Sequence, residues 1–164
     1  MIRLSRKPEN VLTDTTVMSN SFSLLLPPNW EDHTVYLFKG PIQDGIEHQI
    51  NVTVEHNVEI NDLGQYVELQ VDAMRSGLKS YHELKLGPIR LADNTPAYEI
   101  VYKWQPTDER EIYQRVIYVL SGRDAYSMVT SFSKKTWKLI GQEVDKILMS
   151  FTVPQVTQSG ADND

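Results

Sequence analysis

Residues 97–132 read AYEIVYKWQPTDEREIYQRVIYVLSGRDAYSMVTSF and hold three apolar runs separated by two short polar breaks. The runs are rich in β-branched and aromatic residues, which favour strands. The breaks contain Pro, Asp, Gly and Ser, which favour tight turns. Because tight turns join antiparallel neighbours whereas parallel strands need long crossovers, this stretch predicts an antiparallel meander. Its three strands are expected at Ala97–Trp104, Glu111–Leu120 and Ala125–Phe132.

Further strands are predicted on the amino-terminal side of the meander. In the stretch HQINVTV, which begins at His48, apolar residues alternate with uncharged polar ones, and a period of two is that of a strand with one buried face. Proline and glycine end two earlier apolar runs. The additional strands are expected at Phe22–Leu26, Val35–Phe38, His48–Val54 and near Glu83–Leu86.

Two amphipathic helices are predicted where apolar residues recur at every third or fourth position. The first begins at Asn61 or Asp62, either of which suits an N-cap, and ends near Gly77. The second follows Ser133 as N-cap and presents one apolar stripe up to Phe151. Strands joined by hairpins, with helices between groups of strands, favour an α+β fold over a doubly wound parallel sheet. We therefore predict an antiparallel sheet of about six to seven strands with two main helices.

The length and composition fit a single domain. The chain has 164 residues, of which 40% are hydrophobic, enough for one core. Residues 1–20 lack apolar periodicity and are predicted to form a flexible segment, and the polar residues 154–164 a disordered tail. The folded domain is expected at residues 21–153.

The composition also limits the kinds of partner and the location that are expected for this protein. The net charge of −6 opposes binding to nucleic acid, and the absence of cysteine excludes thiolate chemistry and disulfides. The longest apolar run, Val116–Leu120, is far shorter than a membrane span, so the chain is not expected to be membrane-embedded. Polar residues follow the basic start of the chain where a signal peptide would be apolar. We expect a cytoplasmic location.

No common catalytic motif occurs in the sequence. It contains no G-x-S-x-G elbow, glycine-rich phosphate loop, G-x-G-x-x-G fingerprint or H-E-x-x-H pair. We therefore expect neither an enzyme nor a cofactor or metal, and a hydrolase with an unrecognised site is an alternative.

One face of the predicted sheet has an unusual composition. Gln49, Asn51 and Thr53 on one strand are all uncharged, whereas a face that serves only solubility usually carries Lys and Glu. Val35 and Leu37 share one face of the preceding strand. Such a surface suits an apolar helix, because neutral groups satisfy its small polar residues without desolvating a charge. A solvated face that lacks charges by chance is the alternative.

Several motifs resemble those of the DcrB-like family, in which an L-P-x-x-W-x-D-x-[ST] stretch leads into a short strand. The first is PPNWEDHTVYLFKGP at residues 27–41, and the likeness continues in order to the end of the predicted domain. The later matches are QYVELQV at 65–71, YKWQ at 102–105, QRVIY at 114–118 and the TWK that begins at Thr136.

The resemblance implies a PsbP-like fold and a binding function. One branch of the family consists of exported lipoproteins, and this chain has no lipobox cysteine. It is more similar to the other branch, the cytoplasmic Eag chaperones of type VI secretion. These form homodimers and shield the amino-terminal transmembrane helices of effectors that carry a PAAR domain. The segment before the first predicted strand is longer than is usual in that branch.

The predicted partner is therefore the hydrophobic amino-terminal helices of a secreted effector, bound by a homodimer. A non-catalytic binding module of the same fold in another assembly is the alternative. The predicted partner-binding residues are Val35, Leu37, Gln49, Asn51, Thr53, Gln70, Arg115 and Ile117.

Overall fold

The structure is a computed structural model that describes residues 15–18, 22–108 and 110–154. The chain forms two compact units, residues 1–34 and 35–164. In the first unit, β1 (Thr15–Met18) pairs antiparallel with β2 (Ser23–Leu26). The strand predicted at Phe22–Leu26 is thus present, but it pairs with β1 and not with the main sheet.

The strand β1 corrects one expectation. It lies within residues 1–20, which were predicted to be flexible because they have no apolar periodicity. Four residues are too few to show a period, and pairing through the backbone does not require one. The other residues of that segment, and those of the predicted tail after residue 154, lie outside the described residues.

The second unit contains a six-stranded antiparallel sheet with the order β3-β4-β8-β7-β6-β5. The meander predicted from residues 97–132 is its centre, β6-β7-β8, so the α+β class is confirmed. The strands are β3 (Val35–Gln43), β4 (Ile46–Glu55), β5 (His82–Arg90), β6 (Pro96–Thr107), β7 (Arg110–Ser121) and β8 (Asp124–Phe132). The helices are α1 (Leu63–Gly77) and α2 (Lys134–Met149).

The edge strand β3 is longer than its sequence predicted. Gly40 and Pro41 were expected to end it at Phe38, yet it continues to Gln43 through a register shift between Lys39 and Ile42. Proline is tolerated here because an edge strand has one side without a hydrogen-bonding neighbour. The strand therefore runs along nearly the full length of β4.

Both helices begin where the sequence predicts. The Asp62 side chain accepts a hydrogen bond from the Gln65 backbone N–H at 2.8 Å and caps α1. Ser133 and Thr136 form a capping box at the start of α2. The end of α1 differs by one position, because the C-cap is Leu78 and not Gly77, with the Leu78 N–H donating to the Met74 carbonyl at 2.9 Å.

Each face of the sheet carries its own core, because successive side chains on a strand point to opposite faces. On one face, Val67 and Val71 of α1 pack with Ile100 and Val116 of the sheet. On the other face, α2 packs over the next residue of β7, Ile117, which is fully buried. Adjacent residues of one strand thus stabilise two different helices.

The two helices cover different parts of the sheet. Helix α1 lies over β6 and β7, and α2 lies over β7 and β8 on the opposite face. The sheet order places β3 and β4 beyond β8. On the α1 face the hairpin of β3 and β4 therefore extends past the helix, whereas on the other face Ile50 and Val52 of β4 pack against the α2 core.

A buried ion network ties the sheet to α2. The Glu99 carboxylate is only 2% exposed, and its Oε2 accepts a hydrogen bond from Arg115 Nε at 2.6 Å. Its Oε1 lies 2.5 Å from Lys85 Nζ. Arg115 Nη1 reaches Asp145 of α2 at 2.5 Å. Arg115 thus neutralises a buried carboxylate and joins β6, β7 and α2.

Replacing Arg115 with Met tests the contribution of this network. We expect Arg115→Met to lower the free energy of unfolding by about 3 kcal/mol, because it leaves the buried Glu99 carboxylate without its main partner. Chemical denaturation monitored by circular dichroism measures the change.

The matched control for this substitution is Lys135→Met, which removes an exposed ion pair to Asp44. It should cost about 0–1 kcal/mol. Equal unfolding midpoints for the two variants would contradict a stabilising role for the buried network.

Candidate functional site

The open trough is the α1-side face of β3, β4 and β8, beside the part of β8 where Ala125 and Val129 pack with the α1 core. Cross-strand pairing aligns its residues, since Val35 lies opposite Thr53 and Leu37 lies opposite Asn51. On the other side of β4, Asn51 lies opposite Val129. The open trough is lined by Val35, Leu37, Gln49, Asn51, Thr53, Ser127, Val129 and Ser131.

The apolar side chains at the β3 edge of the open trough are exposed. Val35 is 54% exposed and Leu37 is 49% exposed, although both lie in a regular strand. Asn51 and Thr53, on the next strand, are half-buried. Two large apolar side chains beside neutral polar ones form a surface that a partner can dehydrate at little cost.

Charges border the open trough but do not enter its centre. At one end, Lys39 Nζ pairs with the Glu47 carboxylate at 3.0 Å, and this hydrogen bond lowers the pKa of Glu47. At the other end, Glu55 accepts a hydrogen bond from the Tyr66 hydroxyl at 2.8 Å. Between Glu47 and Glu55, eight positions of strand give an uncharged floor about 26 Å long.

The floor also offers neutral hydrogen-bonding groups. The Thr53 hydroxyl of β4 forms a hydrogen bond with the Ser127 hydroxyl of β8. The Ser131 hydroxyl accepts a hydrogen bond from Gln114 Nε2 at 3.0 Å. The Asn51 side-chain amide makes no hydrogen bond with the other described residues. It is available to a partner that lies on the sheet.

Gln70 lies on the edge of α1 that faces the open trough. Arg75 Nη2 pairs with Glu83 of β5 at 3.1 Å, so the Arg75 edge of the helix faces β5. Gln70 is five positions earlier, about 140° around the axis from Arg75. Tyr66, one turn before Gln70, bonds to Glu55 of β4 and confirms which edge this is. Gln70 is therefore on the side of α1 nearer to β4, and its role in binding stays a prediction.

Arg115 and Ile117 do not belong to this surface, and their inclusion was wrong. Both lie on the α2 face of β7, where Arg115 pairs with Glu99 and Ile117 is fully buried. Two features of the fold explain why Arg115 and Ile117 lie away from the open trough. Strand β8 separates β4 from β7, and odd-numbered residues of β7 point away from α1.

The sequence analysis missed the residues that β8 and β7 contribute. Ser127, Val129 and Ser131 alternate on the trough side of β8, and the side chain on the equivalent face of β7 is Gln114, not Arg115. An alternation of small polar and apolar residues was visible in β8, as in β4. What the sequence did not reveal is that β4 pairs with β8, 74 residues further along the chain.

In the described residues, no three His, Cys, Asp or Glu side chains are grouped closely enough to hold a metal ion. Within that same part of the chain, no helix has the length and hydropathy that crossing a bilayer requires. The absence of enzymatic activity and of a cofactor stays a prediction.

The architecture defines a class of α+β domain in which two helices leave part of an antiparallel sheet open for binding. The sequence profile of the DcrB family matches residues 22–154, and the chain therefore belongs to the DcrB family. The search of curated proteins found no match.

Two solved structures resemble the chain. The crystal structure of PA94 from Pseudomonas aeruginosa, described as a protein of unknown function, has 14% sequence identity and a TM-score of 0.73. The match covers 87% of this chain and 99% of PA94, so the two share a fold. The solution structure of the cyanobacterial PsbP protein CyanoP from Synechocystis sp. PCC 6803 has 12% identity and a TM-score of 0.47, covering 92% and 98%.

Gln114 is predicted to hold the floor of the open trough in place. Its Oε1 accepts hydrogen bonds from the Tyr102 hydroxyl at 2.8 Å and from Trp104 Nε1 at 2.7 Å. We expect Gln114→Leu to lower the free energy of unfolding by about 2 kcal/mol, because it leaves the buried Tyr102 hydroxyl without an acceptor. Denaturant titration measures the loss.

Gln105→Leu serves as the control for this prediction, since among the described residues the Gln105 side chain donates only to the exposed Asp108 carbonyl. It should change stability by less than about 0.5 kcal/mol. If Gln114→Leu is as stable as Gln105→Leu, the floor does not depend on Gln114.

Proposed function

We propose that this protein is a cytoplasmic chaperone whose open trough shields the amino-terminal transmembrane helices of a PAAR-containing type VI secretion effector. The observation that carries the proposal is an accessible, uncharged sheet face beside exposed Val35 and Leu37. Membership of the DcrB family supports it, because the motifs of this chain are similar to those of the Eag branch.

The dimensions of the open trough suit one apolar helix. Three neighbouring strands span about 10 Å from β3 to β8, which matches the diameter of an α-helix with its side chains. The uncharged floor of about 26 Å is close to the hydrocarbon thickness of about 30 Å that a transmembrane helix is built to cross. Charges at both ends of the floor fit the polar flanks of such a helix.

The chemistry of the floor favours reversible binding. Each large apolar side chain that a helix buries against Val35 or Leu37 contributes about 1.5–3 kcal/mol. Small polar residues of the helix find partners in the Asn51 and Gln70 amides, which have no side-chain hydrogen bonds to other described residues. No charge in the centre of the floor has to be desolvated when a helix binds.

The same features favour binding over hydrolysis as the role of this face. A hydrolytic site needs a general acid or base and a nucleophile within hydrogen-bonding distance of each other. The ionisable groups at the open trough, Lys39, Glu47 and Glu55, lie at its ends, and Lys39 and Glu47 are already paired.

A homodimer is part of the proposal. Strand β3 is at the edge of the sheet, and four successive residues, Val35, Tyr36, Leu37 and Phe38, are 44–58% exposed. An edge strand with exposed apolar side chains on both faces favours self-association. Two copies would present two open troughs, enough for a pair of effector helices.

Capture of an effector tests the proposal. The chain is co-expressed with the amino-terminal segment of a candidate PAAR effector, and the recovered complex is quantified by affinity purification. We expect Leu37→Asp to reduce capture at least about tenfold, because it places a charge against an apolar helix. We expect Asn51→Ala to reduce capture about threefold to tenfold through the lost hydrogen bond.

Leu84→Asp is the matched control, since Leu84 is a similarly exposed leucine in β5, at the opposite edge of the sheet from β3. It should capture the segment like the unmodified chain, provided light scattering gives the same oligomeric state. Undiminished capture by folded Leu37→Asp and Asn51→Ala would contradict the assignment. Capture of other apolar helices, but not of effector segments, would favour a binding module of another assembly.

A further inference from the structure

The two edges of the main sheet differ in how they are protected. Edge strands usually carry charges, prolines or bulges, which discourage pairing with another chain. The edge strand β5 has all three, since it contains Lys85, Pro88 and a register shift. In β3 the same features, Lys39, Pro41 and the register shift that follows Lys39, occupy only the second half of the strand. The first half of β3 has no such protection.

This first half, Val35–Phe38, is apolar and exposed on both faces. It contains neither a charged residue nor a proline. Within the part of the chain that the structure describes, β4 is the sole strand paired with β3, so the outer backbone groups of this half have no strand partner. Such an edge is a template for another strand, and the same strand of a second copy meets it with matching apolar side chains.

We propose that β3 of a second copy pairs antiparallel with β3 about a twofold axis at Leu37, so that the two open troughs join into one floor shared by both copies. The inference rests on the proposed function, because it makes the second copy part of the binding site. Pairing centred on Leu37 uses all five residues, Val35–Lys39, that precede the register shift. It places Tyr36 of each copy opposite Phe38 of the other, and aromatic cross-strand pairs are favourable.

The joined floor has room for two helices. A twofold axis between antiparallel strands of one sheet is perpendicular to the sheet, so the α1-side faces of the two copies lie on the same side. The six strands from β8 of one copy to β8 of the other span about 24 Å, enough for two helices of about 10 Å diameter side by side. Val35 and Leu37 of both copies form the centre of this floor. Each helix therefore contacts Leu37 of both copies.

The strand pairing alone is weak, and a bound helix strengthens it. The four side chains of Val35–Phe38 expose about 100 Å² each, so pairing buries at most about 800 Å² in total. Stable interfaces bury about 1,200–2,000 Å². A helix that lies on Leu37 of both copies adds to the buried area, so its binding and the dimerisation stabilise each other.

Cysteine substitution tests the pairing, because the chain has no cysteine of its own. Residues opposite each other at the axis have Cα atoms about 4.5–5.5 Å apart, within the range that a disulfide needs. We expect Leu37→Cys to form disulfide-linked dimers under mild oxidation. Val35→Cys, similarly exposed and on the same face, should form at least about tenfold fewer, because the two Val35 positions are about 13 Å apart in this pairing.

Leu84→Cys is the control for chance collisions, since Leu84 is a similarly exposed leucine of β5, at the other edge of the sheet. The pairing is overturned if Leu37→Cys forms no more dimer than Leu84→Cys, or if Val35→Cys forms as much as Leu37→Cys. Because the disulfide needs no effector, a chain that crosslinks at position 37 but captures no effector segment contradicts the proposed function and supports the pairing of β3.

Dilution tests whether the two copies share the floor. The unmodified chain is diluted alone and in complex with a segment that contains one effector helix, and light scattering measures the dissociation of the dimer. A single helix is used so that two linked helices do not tether the copies. We expect the helix to lower the dissociation constant of the dimer at least about tenfold. An unchanged dissociation constant would overturn the shared floor.

Discussion

The width of the sheet relative to its helices determines where this protein can bind. Six strands at about 4.8 Å spacing span about 24 Å, whereas one helix covers about 10 Å of a sheet. Each face has one helix, packed over two central strands, and on the α1 side the β3–β4 hairpin extends past the helix. A domain of this design therefore retains uncovered surface on the α1-side face of the hairpin, and the strand residues determine which chemistry that surface presents.

The two faces of the hairpin present different chemistry because side chains alternate. Odd-numbered positions of β4 carry Gln49, Asn51 and Thr53, which form the uncharged floor of the open trough. Even-numbered positions carry His48 and Ile50, which line a pocket under α2. One strand thus contributes to two surfaces, the open trough on one face and the contact with α2 on the other.

Sequence patterns predicted the elements of the sheet well because each depends on neighbouring residues. The alternation in β4, the turns of the β6-β7-β8 meander and the caps Asp62 and Ser133 were all visible locally. The same local patterns placed Val35 and Leu37 on one face of β3 and placed Asn51 with Gln49 and Thr53 on one face of β4. The order of the strands was not visible, because the pairing of β4 with β8 joins residues far apart in the chain. Arg115 was therefore assigned to the wrong face, and Ser127 and Gln114 were missed.

The central claim is that the α1-side face of β3 and β4 holds an apolar helix. Site-specific photocrosslinking tests it most directly, with a photoreactive phenylalanine at position 37 or at position 36 of the chain co-expressed with an effector's amino-terminal segment. These two positions are adjacent and similarly exposed but point to opposite faces. The account predicts crosslinks to the apolar helix from position 37 and none from position 36. Crosslinks from position 36 alone, or from neither position in a chain that still captures the segment, would contradict it.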